Sequence, residues 1–163
     1  KLEFDRVALE QHEAVYGPFV VNRNGAFAEI CSPPIPPKEI TQKFLQGGFE
    51  ASWVNVACKS SILRRVKEKF GNYVDPSIMN MEDRLFNFRV TKFCDWIWRG
   101  KVGDKFYINP TPDEVAEIKA NKQNYIVDGA WSTDENAGSS YNPTVYNRDS
   151  QITTDLINKE KDL

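Results

Sequence analysis

No apolar run in these 163 residues approaches the roughly 20 residues that a membrane helix needs, and mean hydropathy is −0.53. The sequence therefore predicts no bilayer-spanning helix. Histidine is almost missing: His12 is the only one. That scarcity removes most metal centres and every nucleophile–histidine pair that does not use His12. His12 falls on a predicted helix beside Glu10 and Glu13 and reads as a solvated helix residue. Cysteine is sparse as well. Cys31, Cys58 and Cys94 are three in number and far apart, which fits neither a disulfide framework nor a zinc pattern. They read as buried free thiols.

Phosphate-binding glycine loops are also missing. Gly47-Gly48 is followed by Phe-Glu rather than Lys-Ser/Thr, and no dinucleotide fingerprint occurs. Asp128, Asp134 and Glu135 lack the alternation and fixed glycine of a calcium loop. The acidic pairs Glu82-Asp83 and Asp113-Glu114 sit at expected helix starts, where the helix dipole favours negative charge. No metal ligand set and no catalytic residue can be named. The expectation is a protein that is not an enzyme, with a motif-poor enzyme as an alternative.

Charge is uneven along the chain. Residues 59–105 hold 11 Lys/Arg and 6 Asp/Glu, whereas the whole chain is −2. Such a basic middle between acidic flanks can be matched within the fold or can meet an acidic partner. Part of it has a local explanation. Arg64, Arg65, Lys67 and Lys69 lie in the C-terminal half of a periodic segment, where cations suit the helix dipole.

The periodicity predicts helices near 3–16, 49–70, 81–98 and 112–121, and a short one over 38–46. The 49–70 helix is marked by Phe49, Trp53, Val56, Leu63, Val66 and Phe70 and is expected to be central. Gly17-Pro18 reads as the stop of the first helix. Asn24-Gly25 between Phe19-Val20-Val21 and Ala26-Phe27-Ala28 predicts a tight hairpin. Asn80 is placed as a helix cap, and Thr111-Pro112-Asp113-Glu114 as a capping box. Val102-Gly103-Asp104 reads as a turn into a strand at 105–108. Ser32-Pro33-Pro34-Ile35-Pro36-Pro37 predicts a stiff extended strap.

From Asp128 the apolar pattern dissolves, leaving at most a weak helix over 152–163. The expected fold is thus a single small domain, mainly α with a minor β-hairpin and long extended N- and C-terminal arms. It divides into a mostly helical domain over 1–127, with the strap at 32–37, and an extended docking tail over 128–163.

Between Arg84 and Tyr107 cations and aromatics alternate, and one helix cannot bury all of those rings on one face. Arginine and aromatics are the residue types enriched at interfaces. Phe88, Arg89, Trp96, Trp98 and Arg99 are therefore the expected interface, with Arg64, Arg65, Tyr141 and Tyr146 as further contacts. The function that follows is a non-catalytic structural, linker or accessory subunit of a large assembly of protein subunits. A nucleic-acid-binding module is an alternative that the sequence pI of about 5.5 disfavours. The chain begins at Lys1, shows no signal or transit pattern, and is read as intracellular or organellar.

Phe88-Arg89-Val90-Thr91 resembles the start of small phycobilisome linker polypeptides. The resemblance covers four residues and the flanking sequence departs from it. It implies a protein that threads pigment–protein rings, with Cys58 or Cys94 as the attachment point of a covalent bilin. Without it, no cofactor is expected.

Overall fold

The computed structural model describes residues 2–23, 26–46, 55–126, 130–133 and 142–163. The chain runs α1 (Leu2–Gln11), β1 (Ala14–Tyr16), β2 (Phe19–Arg23), β3 (Ala26–Cys31), α2 (Pro37–Gln46), β4 (Val56–Cys58), α3 (Ser60–Phe70) and α4 (Glu82–Val90). It continues through β5 (Trp96–Val102), β6 (Lys105–Ile108), α5 (Pro112–Ala120), a 3-10 turn, β7 (Tyr125–Ile126), β8 (Ala130–Thr133) and α6 (Pro143–Glu160). It is a single small, mainly helical domain with a modest β-region, as expected. The C-terminal residues differ from the expected extended arm, because Pro143–Glu160 is helical, whereas Leu2–Gln11 overlaps the helix expected near 3–16.

The main sheet is ordered β4-β1-β5-β6, with β7 also pairing with β5, and seven-residue β5 is its longest strand. Three-residue β1 lies parallel to β5, with Ala14 opposite Trp96 and Tyr16 opposite Trp98, and antiparallel to β4. Side chains alternate between faces with a period of two, and the packing follows that rule. Ala14, Tyr16, Val56, Trp96 and Trp98 join the large core with Ile62, Val66, Leu85, Phe88 and Ile157. On the opposite face, Val15 and Ile97 pack with Ala8 of α1. The sheet is thus covered on both sides, which explains why Trp96-Ile97-Trp98 is apolar without alternation.

The second sheet is ordered β3-β2-β8. The predicted hairpin forms, with Phe19 opposite Cys31 and Arg23 opposite Ala26, leaving two residues for the turn. Those two, Asn24 and Gly25, lie outside the described residues. Helix α2, strand β6 and the turn before it also lie where the sequence places them.

Three predicted helices are shortened by strands. The first ends at Gln11, and Ala14–Tyr16 is β1. Gly17 is therefore not a helix stop. It follows β1 beside Arg99, and a Cβ there would lie 1.7 Å from Arg99 Nη1, so only glycine admits the guanidinium. The expected 49–70 helix begins only at Ser60, after β4; Phe49 and Trp53 lie outside the described residues. The expected 81–98 helix ends at Val90. The Thr91 hydroxyl turns back to the Phe88 carbonyl at 2.6 Å, and the chain re-enters the sheet as β5.

Helix α4, rather than 49–70, is the most enclosed helix described, buried from Leu85 to Val90 without a break. Its cap is Met81 in the left-handed region (φ 64°), not Asn80. The backbone N–H groups of Met79 and Asn80 instead donate to Asp149 of α6, each at 2.9 Å.

Candidate interaction surface

The residues expected at an interface are mostly core. Phe88 and Arg99 are 0% exposed, Trp96 and Trp98 1%, and Arg89 5%. Each polar side chain among them has an internal partner that makes burial tolerable. The Trp96 and Trp98 indoles donate to the carbonyls of Asn87 and Ser32, both at 2.9 Å. Arg89 grips Glu160 of α6 through Nη2–Oε1 at 2.6 Å and Nε–Oε2 at 3.0 Å. Arg99 is paired with Asp5 of α1. These five are therefore corrected from docking surface to internal scaffold. The basic charge within them neutralises buried acids brought in by α1 and α6. Tyr146 is exposed on α6, and Tyr141 lies outside the described residues.

An aromatic–basic surface does exist, on the outer side of α3 and the turn after α4. The two buried residues of α3, Ile62 and Val66, recur at a helical step and face the core. That orientation turns Arg64, Arg65, Lys67 and Lys69 to solvent, with Glu68 as the one acid of the helix. Beside them the α4 terminus delivers Lys92 and Phe93. Phe93 meets Phe70 edge-on, with ring centres 6.4 Å apart. Arg65 lies over the Phe93 ring at 4.7 Å and Lys67 over Tyr73 at 6.0 Å. From below, Arg89 sits 4.8 Å over Phe70. The last residues of the chain join the edge, where Lys92 Nζ donates to the Lys161 carbonyl at 2.5 Å.

Among the described residues, none of Arg64, Arg65, Lys67, Lys69 and Lys92 is held in an ion pair. Crowding shows in Lys92, whose pKa is pulled below the ordinary lysine value by partial burial and then by the Lys69 ammonium. Asp162 and Glu160 offset part of that effect at Lys92, and the like charge left over is an electrostatic cost that an incoming anion relieves. The sequence flagged only Arg64 and Arg65 of this set. Phe70, Tyr73, Lys92 and Phe93 were missed because they come together only when the chain turns at Thr91.

The chemistry-bearing residues elsewhere are few. No group of three His, Cys, Asp or Glu side chains that could hold a metal occurs among the described residues. Cys58 and Cys94 are free and half-buried. Burial pushes the Cys58 thiol up to about 11; burial, aided by Glu13 and other negative neighbours, pushes Cys94 to about 12. Thiols in such surroundings are weak nucleophiles. The side chain of Cys31 lies outside what is described. Phe88–Val90, three of the four residues that resemble the start of a linker polypeptide, are buried at the end of α4. No helix among the described residues is long and apolar enough to cross a membrane.

No family model, curated protein or solved structure matches this chain.

Proposed function

We propose that this chain is a non-catalytic accessory subunit that docks an acidic segment of a partner protein against the outer face of α3 and the turn at 91–93. The observation that carries the reading is the group of five cations, Arg64, Arg65, Lys67, Lys69 and Lys92, gathered beside partly exposed rings and held in no ion pair among the described residues. An acidic segment satisfies those charges, and its apolar residues can rest on the parts of Phe70, Phe93 and Tyr73 that the cations leave uncovered. A protein partner is favoured over nucleic acid for two reasons. Arg65 and Lys67 already cover Phe93 and Tyr73, which leaves those faces closed to stacked bases. The residues after 105 are strongly acidic and repel an extended polyanion.

Fluorescence anisotropy tests this with a labelled Glu/Asp-rich peptide and, separately, a labelled single-stranded oligonucleotide. Tighter binding of the peptide, weakened by salt and lost in R64Q/K67Q/K69Q, is the expected result. Tighter binding of the oligonucleotide replaces the protein partner by nucleic acid. Binding of neither by the natural protein refutes the surface. A thioether-linked bilin has no part in this reading, since Cys58 and Cys94 are the half-buried, weakly acidic thiols described above.

A further inference from the structure

Away from the α3 face, the proline strap roofs a cleft of about 370 Å³ between residues 32–36 and the C-terminal turns of α2 and α5. That volume lies within the small-molecule range of roughly 300–1,000 Å³. We infer that this cleft is a binding site for a small organic anion, a single carboxylate or phosphate on a short apolar body.

The donors available in the cleft decide the class of ligand. Pro33, Pro34 and Pro36 have no N–H, and the Ile35 N–H is already taken by the Tyr16 hydroxyl at 2.9 Å. The strap therefore offers proline rings, which suit an apolar body, and carbonyls, which give an entering anion no donor. Cationic donors come instead from two separate helices, as Lys43 of α2 and Lys119 of α5 both line the cleft. Neither forms an ion pair among the described residues. Glu39, one turn before Lys43, also lines the cleft. Two cations against one carboxylate favour a ligand with one anionic group over a polyanion.

The base is built before any ligand arrives. Ser32 is 1% exposed and holds a left-handed backbone (φ 61°) without being glycine. Such conformations persist only where the surroundings over-determine them, and they collect at binding sites. Here Asn55 Nδ2 donates to the Ser32 hydroxyl at 3.0 Å, and the Trp98 indole donates to its carbonyl at 2.9 Å. The cleft therefore has a rigid floor, a proline wall and a cationic mouth.

The Trp98 indole N–H, bonded to the cleft's Ser32, is a built-in reporter. In a titration of 15N-labelled protein with benzoate and with phenyl phosphate, that resonance is expected to shift and saturate with at least one of the two. The tighter ligand then assigns the anionic group. K43Q/K119Q, which leaves the floor untouched, is expected to keep the spectrum of the free protein and to weaken binding by about tenfold or more. No saturable shift with either compound overturns the inference, as does undiminished binding by K43Q/K119Q. Inorganic phosphate binding as tightly as phenyl phosphate overturns the role of the proline wall. All of these readings are independent of the α3 surface, because R64Q/K67Q/K69Q leaves the cleft residues in place.

Discussion

Arg99 reaches from β5 through the space beside Gly17 to the Asp5 carboxylate, with Nη2 at 2.7 Å and Nε at 3.0 Å from Oδ1. Both side chains are buried, so each charge depends on the other. Removing Asp5 takes away the carboxylate that faces the buried guanidinium. Asp5→Ala is expected to cost about 3–5 kcal/mol in urea denaturation, and the double change D5L/R99M clearly less. A loss below about 1 kcal/mol for Asp5→Ala, the range of exposed pairs, would place this pair in solvent.

Asp149 supplies the second tertiary clasp. Burial works against its ionisation, but hydrogen bonds from Arg148, Asn80 and Met79 outweigh that and hold its pKa at about 2. A carboxyl with a depressed folded-state pKa stabilises above its unfolded value of about 3.9 and loses that contribution as pH falls toward about 2. Stability measured from pH 5 to pH 2 is therefore expected to fall with acid, and to fall less steeply in D149N. Equal slopes in the two proteins would mean that other carboxylates carry the whole acid dependence.

The capping box at the start of α5 is complete. The Glu114 N–H donates to the Thr111 hydroxyl at 3.3 Å, and the Glu114 carboxylate accepts from the Thr111 N–H at 2.9 Å. Thr111→Ala is expected to destabilise the protein by about 1 kcal/mol, and Thr111→Ser by much less. Thermal denaturation of the two variants checks this order.

Cys58 and Cys94 are expected to alkylate slowly. With pKa values near 11 and 12, each carries far less thiolate at pH 8 than an unperturbed cysteine, by about two orders of magnitude or more. Peptide-level mass spectrometry after timed iodoacetamide treatment should show both sites lagging behind a model peptide thiol, and catching up in urea. Labelling at the model-peptide rate in the folded protein would contradict their burial.

Features encoded by neighbouring residues were the legible ones. Asn24-Gly25 predicts the hairpin, Thr111 to Glu114 the helix start, and Val102-Gly103-Asp104 the turn into β6. Features set by distant partners were not legible. β1 and β4 are three residues each, too short to show a period. In β5, burial on both faces hides alternation and leaves a run that also fits a helix.

Helix α6 was legible only as a weak helix over 152–163, and its first half escaped for a different reason. Its buried stripe is Asp149, Thr153, Ile157 and Glu160, helically spaced but mostly polar. Glu160 faces Arg89, and Asp149 faces the N–H groups before α4, so hydropathy alone finds no pattern. The same exchange misplaced the interface. Arg89 and Arg99 resemble surface cations until the acids of α6 and α1 are brought to them.

The most direct test of the docking surface is the native mass of the protein in a gentle lysate of its source, compared with the R64Q/K67Q/K69Q variant expressed in the same cells. The natural protein is expected to elute in a complex well above its own 18.7 kDa. The variant, with unchanged circular dichroism, is expected to elute alone. A natural protein that elutes as a monomer, or a variant that stays in the complex, would contradict docking through α3.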